Sequence, residues 1–411
     1  MKQTLEELKR LQAQPLERKI VMTSQRIREW VTRYGEDGVY ISFSGGKDST
    51  VLLDIVRNVC GYKNIPAMFV DVPTQFPELK AFAEKFDNVE IVKPKMSFYK
   101  VCDKYGFPLI SKEVAESVQC ARNYLTEILA NDNRFDRQTD RQTDRCTLTN
   151  NHYTELQSVE MMINTGDLGE LASILNERLL NREGGANLRL AIMLGIFTKD
   201  RKNPIKVNIP EEDRSNISQV KYSFLLWSPF KISNRCCTIM KKGPAHEYSK
   251  RTKRMAMTAQ MTDESRLRTQ KWLQNGCNAF DLKVPLSNPM AFWTENDVLE
   301  YIVNSGIEIC SVYGDIVEDY GNNIDGQMSF ADFGCGEKKC KYKCTGCRRT
   351  GCVLCGFGAN LEKKHDGRFL KLKESHPKMY ALLDIIQNNG VTYRKAIEYT
   401  NDHLKRGHIW L

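Results

Sequence analysis

Residues 39–50 read Val-Tyr-Ile-Ser-Phe-Ser-Gly-Gly-Lys-Asp-Ser-Thr. An apolar run of strand type (Val39, Tyr40, Ile41, Phe43) meets Ser44, Gly45, Gly46, Lys47, Asp48 and Ser49. A helical pattern opens at once with Thr50, Val51, Leu52, Leu53, Ile55 and Val56. Two glycines remove Cβ atoms where the backbone must turn tightly, and they let an anion approach the amides. The helix behind them supplies unpaired N–H groups and the positive end of its dipole. Lys47 adds a point charge, and Ser44 and Ser49 add hydroxyl donors. The stretch is therefore expected to cradle phosphate. It is not the triphosphate P-loop, because the Gly-x4-Gly-Lys-Ser/Thr spacing is absent. A bare Gly-Gly is more often an ordinary turn, but here strand, serines, lysine and helix all agree on an anion site.

Ser44-Gly45-Gly46-Lys47-Asp48-Ser49 resembles the SGGxDS pyrophosphate loop of the N-type ATP pyrophosphatases, the PP-loop or adenine nucleotide alpha hydrolase-like superfamily, within its phosphoadenosine phosphosulfate (PAPS) reductase-like branch. In that family the loop grips the β- and γ-phosphates of ATP while a substrate oxygen attacks the α-phosphate. The resemblance implies ATP and Mg²⁺ as cofactors, adenylyl chemistry and release of pyrophosphate. It makes Ser44 to Ser49 the nucleotide binders, with Lys47 stabilising phosphate charge and Asp48 placing Mg²⁺. Branch members that take an already activated sulfate usually carry a degraded loop, so the intact one points to ATP itself.

At 411 residues the chain is long enough for one large domain or two modest ones. No apolar run approaches the roughly 20 residues needed to span a membrane. The polar stretch Met1 to Lys19 lacks the apolar core of a secretory signal. A cytoplasmic protein without membrane contact is expected. In that reducing compartment the 14 cysteines point to metal or catalytic roles rather than disulfides. The formal charge of +9 suits ATP, tRNA or DNA, and equally a merely soluble surface.

Along the chain, Leu5, Leu8, Leu11, Ile20, Ile27, Trp30 and Val31 recur at helical spacing over residues 1–34, broken near Pro15. Ile65 to Asp71 reads as a second parallel strand ending in an acid. Ligands of such folds sit outside the carboxyl ends of the strands. Asp71 and Pro73 to Glu78 are thus expected to line the nucleotide cleft; the alternative is that Asp71 only caps the next helix. Residues 79–87 read as helix and Val89 to Val92 as a third strand. Lysines 93, 95, 100, 104 and 112, set among Phe98, Tyr99, Tyr105 and Phe107, suit an anionic substrate or a solvated face.

Residues 124–222 differ in character. They hold the direct repeat Asp136 to Arg145, which has no apolar face and reads as an exposed loop. Helical spacing returns at Leu168, Leu171, Ile174, Leu175 and Leu179, and at Leu188, Leu190, Ile192 and Leu194. Further on, Glu264 and Arg268 share one helix face. The stretch Ala259 to Arg268 resembles the second PAPS reductase-like motif, whose Glu-Ser and Arg residues border the substrate. That resemblance makes Glu264, Arg266 and Arg268 catalytic candidates, with Arg266 or Arg268 holding an anionic substrate. Gln260 stands where that motif has glycine. Phe292 to Ile302 resembles the family's Trp-x3-Asp-Val helix, with Thr294 and Asp297 at capping-box positions in a structural role.

Six cysteines fall between residues 335 and 355: Cys335, Cys340, Cys344, Cys347, Cys352 and Cys355. Two Cys-x2-Cys pairs let both sulfurs of a pair reach one metal, leaving Zn²⁺ or an iron–sulfur cluster as choices. The adjacent Cys236 and Cys237 lie beside Arg235, Lys241 and Lys242, where positive charge favours thiolates. An adjacent Cys-Cys followed by a distant Cys-x2-Cys resembles the [4Fe–4S] arrangement of iron–sulfur adenylylsulfate reductases and of the ATP pyrophosphatase of DNA phosphorothioation. By that resemblance the cluster ligands are Cys236, Cys237, Cys352 and Cys355, and Cys335, Cys340, Cys344 and Cys347 form a separate zinc knot. Cys277 is a working thiol or a spare ligand. Reductases of activated sulfate attack with a cysteine near the C-terminus, whereas no cysteine follows Cys355 here.

The expected fold is a doubly wound α/β domain with a parallel sheet, a helical insertion and a cysteine-rich metal module. The expected segments are a helical 1–34, a loop-bearing core 35–123, an insertion 124–222, a second core part 223–330, the cysteine module 331–362 and a helical 363–411. The resemblance implies an ATP pyrophosphatase coupled to sulfur transfer, with DNA or tRNA as a candidate partner and a cysteine desulfurase or other sulfur donor. A thiol-dependent adenylylsulfate or PAPS reductase, and a nucleic-acid-modification or defence subunit with a structural zinc site, are the alternatives.

Overall fold

The computed structural model describes residues 3–131, 184–195, 197–198, 207–208, 211–319 and 341–411. The direct repeat at 136–145, the Leu168 to Leu179 pattern, Cys335 and Cys340 lie outside the described residues. The chain forms two compact units, one of Met1–Lys95 with Ile239–Cys352 and the other of Met96–Thr238 with Val353–Leu411.

The first unit is built on a six-stranded sheet. Its strands are β1 (Val39–Phe43), β2 (Ala67–Val70), β3 (Val89–Val92), β4 (Met255–Met257), β5 (Asn278–Ala279) and β6 (Leu286–Ser287), in the order β3-β2-β1-β4-β6-β5. All neighbours pair in parallel except β5 with β6. The expected parallel sheet therefore carries one antiparallel edge, made of a strand too short to leave a periodic trace.

Alternation along β1 explains why both faces are covered. Val39, Ile41 and Phe43 are buried in a large core with Trp30, Val51, Leu52, Ile55 and Phe69. Tyr40 points the other way, into a small cluster with Met68 of β2 and Tyr248. Among the described residues seven α-helices belong to this unit: α1 (Leu5–Gln12), α2 (Leu16–Tyr34), α3 (Lys47–Asp54), α4 (Pro77–Ala83), α5 (Gly243–Thr252), α6 (Arg266–Asn275) and α7 (Glu295–Ser305). The first core takes Ile27 and Trp30 from α2, Val51 to Leu53 from α3, and Val298, Leu299, Tyr301 and Ile302 from α7. Tyr248 of α5 covers the opposite face, its ring 4.8 Å from that of Tyr40. The sheet is thus wound on both sides, as the period-2 pattern requires.

Pro15 separates α1 from α2 because it ends one helix and opens the next. At the buried end of α7, Asp297 Oδ2 accepts from Thr294 N at 2.7 Å and Thr294 Oγ1 at 2.8 Å, closing the expected capping box. The same oxygen accepts from Lys19 Nζ at 2.6 Å, with the lysine side chain 1% exposed.

The second unit is mainly helical, with Phe98–Tyr105, Lys112–Asn131, Gly184–Leu194 and Tyr393–His403. The Leu188 to Leu194 spacing falls on the third of these. A two-residue parallel pair joins Leu109–Ile110 to Gly356–Phe357. Asn388, fully buried, ties its segments together: Lys231 N donates to its Oδ1 at 2.7 Å, and its Nδ2 donates to the carbonyls of Cys102 and Asp103. Among the described residues no helix is long and apolar enough to cross a membrane.

Candidate phosphate-binding site

In the first unit the strand order runs outward from β1 through β2 to β3, then resumes on the other side of β1 with β4. That reversal opens a crevice at the carboxyl end of β1, where Ser44 begins. Gly45 has φ +70°, and a Cβ there would lie 2.9 Å from the carbonyl oxygen of Leu79 in α4, so both conformation and space demand glycine. At Gly46 a Cβ would sit 3.1 Å from Thr350 Oγ1 and from Tyr313 Oη. Ser49 Oγ organises the turn: it donates to the Gly46 carbonyl at 2.9 Å and accepts from Ser44 N at 3.1 Å. Its hydroxyl also meets Ser44 Oγ at 3.0 Å.

Lys47, the first residue of α3, is only 3% exposed. Its Nζ lies 3.4 Å from Glu295 Oε1 and 3.5 Å from Asp48 Oδ1, and donates to the Arg348 carbonyl at 3.3 Å. Burial pushes the Asp48 carboxyl above its usual range despite the neighbouring Lys47 charge, and its Oδ1 accepts no full hydrogen bond. Burial also pushes Glu295 up, but the hydrogen bond from Arg348 and the charges of Lys47 and Arg348 outweigh it and hold that carboxyl below the usual range. Arg348 grips Glu295 Oε2 through Nε at 3.0 Å and Nη2 at 2.6 Å.

The second motif reaches the same place. Arg268 of α6 pairs with Glu264, but not along one helix face as expected: Glu264 ends the turn Thr262–Glu264, and Ser265, in extended conformation, caps α6 after it. Burial and the charge of Arg349 depress its guanidinium, while Asp48 supports it. Arg268, Arg349 and Asp48 therefore share one electrostatic neighbourhood. Arg266 stands solvent-exposed at the start of α6. Asp71 follows β2 directly, with its Oδ2 3.3 Å from Lys80 Nζ. In the Pro73 to Glu78 segment, Thr74 is buried and its hydroxyl has no hydrogen-bond partner.

Several residues at the loop were not singled out from the sequence. Tyr313 Oη accepts from Lys47 N at 3.1 Å and meets Thr350 Oγ1 at 2.8 Å. Arg348, Arg349 and Thr350 come from the cysteine-rich stretch, whose Tyr342–Cys344 pairs antiparallel with Ile316–Glu318 and which meets the loop through the Arg348 carbonyl and the Thr350 hydroxyl. Glu295, on a helix expected only to be structural, is a direct neighbour of Lys47. No spacing rule marks any of these.

The thiols divide between the units. Cys344 and Cys347 belong to the first, together with Cys352. Burial pushes Cys344 up, with Lys47 opposing, and burial likewise pushes up the further thiol Cys310, with Cys347 adding to it. In the second unit Cys236, Cys237, Cys355 and Cys102 are electrostatic neighbours. The hydrogen bond with Cys237, burial and the adjoining thiols push Cys236 far up. The thiolate expected from the basic neighbours in sequence is thus opposed at Cys236 by its thiol neighbours and by desolvation. Among the described residues no group of three or more Cys, His, Asp or Glu is arranged to hold a metal ion. The donor type at Cys236, Cys237 and Cys355 fits a thiolate-bound metal or cluster; the arrangement of the thiols does not close a ligand set. Cys277 is buried under Trp272, whose Nε1 donates to its sulfur at 3.4 Å, and burial pushes the thiol up.

A glycine turn at a strand-order reversal, opening a helix with a buried lysine, gives this α/β protein a candidate anion cradle. The chain belongs to the phosphoadenosine phosphosulfate reductase domain family, whose match spans residues 38–109 and 196–356, more than half of its length. The first segment holds the loop and β2; the second holds Cys236, Cys237, α6, α7 and Cys352. Among solved structures, the phosphate complex of PAPS reductase from Candida auris is similar at 11% identity and a TM-score of 0.31, over 76% of this chain and 91% of that one. No curated protein matches the chain.

Proposed function

We propose that this protein is an ATP pyrophosphatase-type enzyme that adenylates an oxygen of an anionic or nucleic-acid substrate, coupled to sulfur transfer. The observation that carries this reading is the intact loop, with Lys47 buried beside two carboxylates at the opening of α3. The β- and γ-phosphates lie against the Gly45–Ser49 amides and the Lys47 ammonium. A substrate oxygen attacks the α-phosphorus, the bond from that phosphorus to the bridging oxygen breaks, and pyrophosphate leaves with the charge that Lys47 stabilises. Arg268, beside Asp48, holds the anionic group of the substrate.

Asp48 fits a divalent cation, since its buried Oδ1 lacks a full hydrogen bond. A Mg²⁺ ion held there would neutralise charge on the phosphates. The sulfur donor, by this reading a cysteine desulfurase or an equivalent persulfide source, is external, and DNA or tRNA is the nucleic acid of choice for the basic chain. The experiment is ATP-dependent pyrophosphate release with Lys47→Ala. Release falls to background if the loop carries the chemistry; unchanged release removes the loop from the mechanism.

A further inference from the structure

The amide of Lys47 is the first of α3, a position whose N–H has no partner within its own helix. Here it donates to Tyr313 Oη at 3.1 Å, across 266 residues of sequence. Tyr313 is 1% exposed, so its hydroxyl is held by packing. Its other polar contact is Thr350 Oγ1 at 2.8 Å. Both hydroxyls lie 3.1 Å from the Cβ position of Gly46, in the space that a side-chain-free residue leaves open over the turn. Two other amides of the loop are satisfied locally: Ser44 N by Ser49 Oγ and Gly46 N by Ser44 Oγ. Burial keeps the phenol neutral, so it brings no charge of its own.

We propose that the Tyr313–Thr350 hydroxyl pair is an autoinhibitory closure of the phosphate loop, competing with phosphate oxygens for the Lys47 amide. This inference rests on the reading of the loop as a phosphate site. A single-phosphate anion gains little by displacing the pair. A polyphosphate, which meets the Lys47 ammonium and several amides at once, displaces it readily. The closure therefore biases the site toward nucleoside triphosphate and pyrophosphate over smaller oxyanions.

The test is calorimetric titration of the full chain with pyrophosphate. Tyr313→Phe keeps the buried ring and deletes the competing acceptor, leaving the Lys47 amide in need of a partner. Its affinity for pyrophosphate is expected to rise about two- to tenfold, the range of one net hydrogen bond. Thr350→Val, on the half-buried side of the pair, tightens binding by less. The double variant binds no tighter than Tyr313→Phe, because both changes act through one contact. Unchanged or weaker binding by Tyr313→Phe, with an unchanged urea midpoint, overturns the closure, since the hydroxyl is then a spectator or a ligand. Lys47→Ala separates the two readings: if it binds pyrophosphate like the parent protein, the loop is not the phosphate site and both readings fall. Absence of binding by the parent and every variant has the same consequence.

Discussion

Replacing Lys19 by methionine removes one side of a buried ion pair while nearly preserving the shape of the side chain. The pair is 2.6 Å long, and the two side chains are 1% and 10% exposed. Deleting one partner of such a pair costs about 3–5 kcal/mol, because the other charge stays buried. Asp297 keeps two donors from Thr294, at 2.7 and 2.8 Å, so the loss should lie at the lower end, about 3 kcal/mol. Adding Asp297→Asn removes the stranded charge and retains an acceptor for the cap. The double variant is therefore expected to recover part of the loss, to within about 1–2 kcal/mol of the parent protein. Urea unfolding followed by tryptophan fluorescence measures this, since Trp30, Trp272 and Trp293 all belong to the first unit. A loss below about 1 kcal/mol for Lys19→Met, or a further loss on adding Asp297→Asn, refutes the argument that charge burial dominates there. Because Asp297 caps α7, whose first residue meets Lys47, the single variant should also weaken pyrophosphate binding.

Gly45→Ala should destabilise the fold and abolish pyrophosphate release, because it combines a positive φ with a 2.9 Å approach to a backbone oxygen; wild-type activity in this variant contradicts the turn geometry. Asn388→Ala leaves the Lys231 amide without its buried acceptor and should cost about 2–4 kcal/mol, read as a lower urea midpoint. The Glu295 carboxyl is held below its usual range, so its contribution to stability is present above about pH 4.3 and is lost as pH falls through the depressed folded value. Glu295→Gln should flatten that acid limb of the stability profile, and an unaltered limb assigns it to other carboxylates. Anaerobic purification with iron, sulfide and zinc analysis decides the role of the thiols: about four irons and four sulfides per chain, lost in Cys236→Ser, assign them to a cluster, whereas a colourless, zinc-only protein makes them structural.

The strand, turn and helix at Val39 to Asp54 were legible because each rests on local physics: alternation along β1, two glycines, and apolar spacing along α3. Val89 to Val92 and the Thr294 cap were legible for the same reason. The closure over the loop was not. Tyr313 reaches Lys47 across 266 residues and Arg348 across 301, and neither contact leaves a periodic or spacing signal in the sequence. Glu295 looked like an ordinary first-turn acid, and only the fold turns it toward a lysine. The surroundings of Cys236 were not legible either, since the adjoining thiols and the burial that push it up are supplied only by the fold.

The position of β1 between β2 and β4 sets a problem during synthesis. Val39 pairs with Met255, more than 200 residues downstream. At translation rates of about 5–20 residues per second, one edge of β1 waits on the order of 10–40 s for its neighbour after the other has formed. An uncovered edge of that kind is a template for pairing with other chains. Production of this protein should therefore profit from slow, cool expression with abundant ribosome-associated chaperones. Truncations ending before Met255 should accumulate as aggregates however stable the finished sheet is.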